Sequence, residues 1–473
     1  MKKQILSLTL AATALLLGGC LPEAFIWWSP DGQTAAIRTS EGLRLAGTNG
    51  QLSAVILPGE IQSAAWLTDG SGLLVSRAWK VKDWAAAEKL IPPEEAAATL
   101  RMARAIPDLL RAGLTACGGS SDDLDEKFFK PLGVTRGQVL EPAWSCALSL
   151  YREKLLAVTA GFTNAAALEA ELHSAETNGI SICEISILAL RQGRPADQPR
   201  ALIRSLRPLL DPLLSPRHPI VAFRTGEGAL KAMGLDGKSS MVVAGENVRS
   251  AAWSADGRAL IHVVMGESDK VGEIRSRTVL SSSGDLWQEA PPAETLAMAI
   301  FAADASTRLS VLPDGRVLFA SVLVTLPDRA SAIHPGAQFF LLDLAKPGTP
   351  PVAVVIKEGS LPDDLSAFAP SPDGRFVAVA EGGTDVVAVL ELATGKVKII
   401  SPAHEGWKSR MIPAWRSRGD LTFAALPSAA AARPELILWQ ADAPARVLSK
   451  DWPESLIKPW LEAPQTGGGQ PAK

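Results

Sequence analysis

A five-residue motif that recurs along the chain constrains the fold more than any other feature. Copies begin at Trp28, Trp66, Trp253, Val311 and Pro370, and each ends in Asp-Gly. A short apolar stretch with the alternation of a β-strand follows each copy. These stretches are residues 34–38, 73–76, 259–264, 317–322 and 376–380, and a degenerate copy lies at 415–420. Repetition of this kind predicts a fold built from similar β units.

The motif has the chemistry of a tight turn between two strands. Proline fixes φ at the second turn position, aspartate caps the turn through its side chain, and glycine supplies a positive φ. The turn residues are Asp31, Gly32, Asp69, Gly70, Asp256, Gly257, Asp314, Gly315, Asp373 and Gly374. Catalytic residues rarely recur in every repeat, so we interpret these residues as structural. The residue before the turn, a tryptophan in several copies, is expected to pack between adjacent sheets.

Further strand pairs follow each turn and complete units of four short strands, which is the pattern of a propeller blade. The W-S-P-D-G hairpin resembles the WD40-like (PD40) repeats of the TolB type, over most of residues 24–80 and 210–450. The resemblance implies an all-β propeller that binds partner proteins in envelope assemblies. TolB-type proteins have a separate N-terminal α/β domain, which a lipid anchor replaces here, and they lack the helical segment described below. Their partners are therefore not transferred to this chain.

The spacing of the turns gives the number of blades. Gly32 and Gly70 are 38 residues apart, and the steps from Gly257 to Gly315 and Gly374 are 58 and 59. The 187 residues between Gly70 and Gly257 are too many for one blade of about 40 residues. We place a blade without the Asp-Gly signal at 218–244. The sequence thus predicts six or seven blades, and we favour seven.

The surplus residues form a predicted helical insertion of about 100 residues, at 81–179, between blades in 20–80 and 180–460. Helical periodicity appears at 93–114, 140–161 and 165–177, and the chain returns to β structure at 180–190. Loops that grow on propellers do so at the faces, where function usually lies. The insertion is therefore either a recognition element or a packing cap, and the sequence leaves both open.

The N-terminus predicts a lipidated envelope protein. Lys2 and Lys3 precede an apolar stretch of signal-peptide length, which ends in Leu17-Gly18-Gly19-Cys20. This end resembles the lipobox of bacterial lipoproteins, so residues 1–19 would be removed and Cys20 lipidated. Leu21, in place of an aspartate, favours the outer membrane over the inner membrane. Residues 461–473 are expected to be disordered.

Three other cysteines lie in or beside the insertion. An oxidising periplasm permits one disulfide among Cys117, Cys146 and Cys183. We expect Cys117 and Cys146 to pair, because both lie in the helical segment. Cys183, in a predicted strand, is expected to be a buried thiol.

No motif in the sequence indicates catalysis. The formal net charge of −3 argues against a nucleic-acid surface. The five histidines form no metal-binding pattern, and no phosphate loop or hydrolase elbow occurs, so neither metal nor cofactor is expected. We therefore predict a non-enzymatic protein-interaction or scaffold module with an envelope protein partner. The alternative is small-molecule or glycan binding, or hydrolase or lyase activity, in the propeller channel.

Overall fold

The structure is a computed structural model of the chain. It describes residues 23–121, 123–132, 142–174, 179–266, 271–287, 290–301, 307–325, 331–363, 365, 367–380, 386–401, 411–417, 419–426, 433–441 and 443–457. The described residues form a seven-bladed β-propeller with a helical insertion in the second blade. The seven-bladed alternative from the sequence is therefore confirmed.

Each blade is an antiparallel sheet whose strands follow one another along the chain. The strands are, in blade 1, β1 Ile26–Trp28, β2 Thr34–Thr39, β3 Gly42–Gly47 and β4 Leu57–Pro58; in blade 2, β5 Glu60–Trp66, β6 Gly72–Val81, β7 Ile180–Arg191, β8 Arg194–Pro195 and β9 Arg200–Ser205; in blade 3, β10 Leu209–Leu214, β11 Ile220–Thr225, β12 Leu230–Gly234 and β13 Ser240–Ala244; in blade 4, β14 Val248–Trp253, β15 Ala259–Met265, β16 Val271–Thr278 and β17 Glu294–Ile300; in blade 5, β18 Leu309–Val311, β19 Arg316–Thr325, β20 Ser331–Asp343 and β21 Val352–Ala353; in blade 6, β22 Ala367–Pro370, β23 Phe376–Ala380, β24 Val387–Glu391 and β25 Lys396–Ser401; and in blade 7, β26 Ala414–Trp415, β27 Asp420–Ala425, β28 Glu435–Gln440 and β29 Ala443–Val447.

The first strand of each blade lies nearest its neighbours in the ring, and the recurring turn joins it to the second strand. β1 contacts both β5 and β26, so the first and last blades meet. Separate apolar clusters fill the spaces between adjacent blades, such as Ile220 with Leu260 between blades 3 and 4. Burial of each sheet against two neighbours explains why most strands are apolar on both faces.

Blades 4 and 5 differ from the others because they share one continuous hydrogen-bonded sheet. Residues 298–300 of β17 pair with 323–325 of β19, which extends beyond its own turn partner β18. The long β19 and β20 help to account for the wider spacing of the turns on either side of Gly315.

The insertion is helical, as predicted, although it is shorter than 100 residues. Its helices are α1 Trp84–Ala87, α2 Pro93–Ala116, α3 Ala143–Thr159 and α4 Ala166–Ser174, with a π-helical turn at Leu124–Phe129 and a 3₁₀ turn at Lys130–Leu132. Pro107 lies inside α2, which continues through it as one helix. A last short helix, α5 Glu454–Ile457, follows blade 7.

The described chain divides into two compact units. One contains residues 78–184 and 203–208, and the other contains the remaining propeller residues. The helical unit has its own apolar core, which includes Ile106, Leu110, Leu155 and Leu172. Glu95 joins its parts, because its Oε1 accepts hydrogen bonds from the Ser205 hydroxyl and the Leu206 N–H, both at 2.9 Å. The unit is thus a packed body and not an open loop.

Candidate functional site

The recurring aspartates are held in local turns by hydrogen bonds. In blade 1, Asp31 accepts from the Ser29 hydroxyl at 2.5 Å and from the Gln33 N–H at 3.0 Å. These donors, with the Ser29 hydroxyl first, hold the pKa of Asp31 below its ordinary value. In blade 4, burial raises the pKa of Asp256, but hydrogen bonds from Ser254 and the Arg258 N–H outweigh burial and lower it. The geometry is that of a structural turn residue.

The turn glycines have the positive φ that the motif predicts. Gly32, Gly70, Gly257, Gly315 and Gly374 have φ between 67° and 87°. At Gly257 a Cβ atom would lie only 2.3 Å from the Ser215 hydroxyl, whereas at Gly70 nothing lies within 4 Å. Some of these glycines are therefore required by backbone conformation alone, and others also by the close approach of the preceding blade.

Tryptophans at the ends of the first strands join neighbouring blades. The indole N–H of Trp66 donates to the Trp27 carbonyl at 2.8 Å, that of Trp253 to Leu213 at 2.9 Å, and that of Trp415 to Ala369 at 2.8 Å. Each bond runs to the first strand of the preceding blade. The position before the turn thus packs between sheets, as the sequence predicts.

Two arginines at the ends of second strands also join blades. Arg224 binds Asp211 of its own blade and donates to the Val248 carbonyl of blade 4 at 3.2 Å. In the same way, Arg38 binds Glu23 at 2.6 Å and approaches the Gln62 carbonyl of blade 2 at 3.5 Å. The same arrangement in two blades indicates an architectural role for these charged pairs.

The expected disulfide is not formed. Cys117 and Cys146 are both buried and free, and Cys183 is buried in β7. Burial, with a smaller effect from the Glu88 carboxylate, raises the pKa of Cys146 to about 12. The two residues lie in an apolar core where the thiols pack as small hydrophobic side chains. The expectation that they pair was based only on their shared location.

Several other predicted residues carry no site in the described part of the chain. Cys20 and the tail at 461–473 lie outside the described residues. Within those residues, no group of three or more His, Cys, Asp or Glu is arranged to hold a metal ion. The helices of the described region also lack a span long and apolar enough to cross a bilayer.

A cavity of about 580 Å³ lies where blade 1 meets the segment after blade 7. We call this place the seam and the cavity the seam cavity. Blade 1 contributes Glu41, Arg44 and the loop at 49–52, and the C-terminal side contributes residues 447–456. Its volume is typical of small-molecule sites, which are usually 300–1,000 Å³.

Close backbone contact holds the two sides of the seam together. The indole N–H of Trp452 donates to the Gly50 carbonyl at 2.7 Å, and Arg433 donates to the Trp452 carbonyl at 2.5 Å. Gly50 has φ +80°, and a Cβ there would lie 2.2 Å from the Leu448 carbonyl oxygen. Sequence analysis did not identify this site, because the residues on its two sides are about 400 positions apart.

Arg44 is the most constrained polar side chain of the seam cavity. Its Nη1 donates to the Ser53 carbonyl at 2.8 Å, and its Nη2 pairs with the Glu41 carboxylate. Its Nε is buried and has no hydrogen-bond partner among the described residues. Lys450 and Asp451 lie on the opposite side.

Comparison with known proteins adds the fold only. The sequence matches no known family profile and no curated protein. Among solved structures, the β-propeller domain of Cps50 (Swd1) from Myceliophteria thermophila is 11% identical, with a TM-score of 0.45 over 90% of this chain and 98% of that one. Hydrazine synthase of Kuenenia stuttgartiensis is 10% identical, with a TM-score of 0.46 over 90% and 97%. The assignment of the seven blades is therefore based on the strands themselves.

Proposed function

We propose that this chain is a lipid-anchored β-propeller of the bacterial cell envelope, related to the TolB type, that acts as a non-enzymatic protein-interaction module. The observation that carries the proposal is the helical unit between β6 and β7, which has its own core. The propeller closes without it, so the unit is an addition for which ring architecture gives no reason. We propose that it recognises an envelope protein partner.

Two apolar side chains on the helical unit support this role. Met102 of α2 is 39% exposed and Leu150 of α3 is 43% exposed. Exposed large apolar residues are enriched where proteins meet. The proposed anchor is independent of these residues, since it is based on the Leu17–Cys20 sequence.

Site-specific cross-linking in cells tests the proposed interaction. A photo-reactive phenylalanine analogue is placed at Met102 or Leu150, with Val242 and Val352 of the outer strands as exposed controls. We expect one dominant envelope protein to be captured from the two helical positions and not from the controls. Capture from the controls alone, or unaltered capture after deletion of 85–178, would contradict recognition by the insertion.

A second experiment tests the proposed anchor and location. We expect radiolabelled palmitate to be incorporated into the wild-type chain and lost in Cys20→Ser. The labelled protein should fractionate with outer membranes on a density gradient. Absence of label from the wild type would contradict lipidation, and label in inner-membrane fractions would contradict the location that Leu21 favours.

The alternative function is binding of a small molecule or glycan, or hydrolase or lyase chemistry, in the propeller channel. Failure to capture any protein from any position would favour it. The next experiment would then be ligand screening with the purified chain.

A further inference from the structure

The walls of the seam cavity are balanced in charge. Arg44 and Lys450 contribute two positive charges, and Glu41 and Asp451 contribute two negative charges. A site with equal numbers of both signs gives an ion no net attraction. It does provide donors and acceptors together, which suits a neutral molecule with many hydroxyl groups.

Neutral side chains complete this pattern. Asn49, Gln51 and Ser455 add amide and hydroxyl groups, while Leu52 and Pro453 add apolar surface. The Asn49 side-chain oxygen already accepts from the Gln51 N–H at 3.0 Å, so the two amides are fixed relative to each other. Mixed polar and apolar walls match a sugar ring, which has hydroxyls at its edge and C–H groups on its faces.

The buried Nε of Arg44 is a second, independent observation. Both terminal nitrogens of this side chain are held by Ser53 and Glu41, which fixes the guanidinium. The remaining N–H is buried without a partner among the described residues, and burial of an unsatisfied donor is unfavourable. A hydroxyl oxygen of a ligand in the cavity is an acceptor of the kind that this donor lacks.

We propose that the seam cavity binds a neutral saccharide. The bound sugar would contact blade 1 through Arg44 and Gln51, and the C-terminal segment through Asp451. Because these groups lie on opposite sides of the seam, binding would also stabilise ring closure. The proposal is independent of the partner-binding function, since that function is assigned to the helical unit.

Calorimetric titration of the full-length protein tests this proposal. The protein is kept in an amine-oxide detergent, because glucoside or maltoside detergents carry sugars. The neutral probes are maltotriose, cellotriose and triacetylchitotriose, and trigalacturonate is the charged comparison. We expect saturable binding of at least one neutral trisaccharide, together with a higher melting temperature of the complex.

Variants connect the binding to the cavity. Gln51→Ala and Asp451→Ala should each weaken binding about tenfold or more, since each removes hydrogen bonds to the sugar. Lys238→Ala and Glu246→Ala, at exposed positions of blade 3, should bind as the wild type does. Melting curves without sugar show whether each variant is folded.

Three results would overturn the proposal. One is failure of all three neutral trisaccharides to bind the wild type. Another is tighter binding of trigalacturonate, which would contradict the argument from charge balance. The third is wild-type affinity in both folded cavity variants, which would place the sugar elsewhere.

Discussion

Blades 3 and 4 are neighbours that make the same turn from different sequences. Blade 4 has Ser254-Ala255-Asp256-Gly257, whereas blade 3 has Ser215-Pro216-Arg217-His218. In both, the serine N–H donates at 2.9 Å to the first residue of the second strand or its neighbour, Ala259 in blade 4 and Ile220 in blade 3. The backbone hairpin therefore survives without the Asp-Gly pair.

The serine hydroxyl shows what changes between the two blades. In blade 4 it donates to Asp256 at 2.6 Å, within its own turn. Blade 3 has no such aspartate, and the Ser215 hydroxyl donates instead to the Gly257 carbonyl of blade 4 at 3.1 Å. Loss of the local acceptor has thus turned a bond within a turn into a bond between blades.

The largest expected effect concerns the tryptophan that joins these two blades. Trp253 is buried, and its N–H donates to the Leu213 carbonyl of blade 3. Trp253→Ala removes a large buried ring and should lower the free energy of unfolding by about 3–5 kcal/mol. Trp287→Ala, in the same blade but 37% exposed, should cost less than about 1 kcal/mol. Urea unfolding followed by circular dichroism measures both, and equal losses would contradict this role of Trp253.

The next effect is a pH dependence between the same blades. His262 lies in β15 two residues from Leu260, so both face the side that packs against blade 3. Burial, together with the positive charges of Arg275 and Arg277, lowers the pKa of His262 to about 4, against a hydrogen bond to Leu260 that raises it. Its Nε2 has no partner among the described residues.

The sign of the effect follows from linkage. The unfolded chain takes up a proton near pH 6.5 and the folded chain only near pH 4, so stability is lost as pH falls through this interval. At 1.36 kcal/mol per pKa unit, the loss is at most about 3 kcal/mol. Melting temperatures of the wild type and His262→Leu should therefore converge or cross as pH falls from 7 to 4. Parallel curves would show that His262 does not contribute.

A matched pair of glycines separates the two requirements at the turns. Gly257→Ala forces both a positive φ and a clash with Ser215, and should cost about 2–4 kcal/mol. Gly70→Ala has the same φ problem without a close neighbour, and should cost about 1–2 kcal/mol. Thermal unfolding of the two variants gives the difference. If both lose the same stability, the close approach of blade 3 is not a constraint.

The comparison also shows what a sequence can predict. The turns at Gly32 and Gly374 were recognised because their geometry depends on a few adjacent residues. The first strand of blade 3, β10, was missed because its turn lacks Asp-Gly, although Ser215-Pro216 occupies the Ser-Pro place of the motif in blades 1 and 6. That dipeptide was the available signal.

Features that join distant parts of the chain could not be predicted in this way. Trp452 and Gly50 form the seam, but neither has a neighbour in sequence that indicates the other. The Cys117–Cys146 bridge failed for the same reason, since membership of one helical segment does not specify which side chains meet. Local turn chemistry therefore predicted the blades, and tertiary packing determined the seam cavity.

The smallest expected effect tests whether Ser215 has become a link between blades. Ser215→Ala and Ser371→Ala should each cost about 1 kcal/mol, because each removes a hydroxyl that donates one hydrogen bond. Their coupling to Trp253→Phe should differ. Ser215 and Trp253 both join blades 3 and 4, so their double variant should deviate from additivity by about 0.5 kcal/mol or more. Ser371 donates within its own turn in blade 6, so its double variant with Trp253→Phe should be additive. Additive behaviour of both pairs in urea unfolding would mean that the Ser215 bond to Gly257 does not help to hold the two blades together.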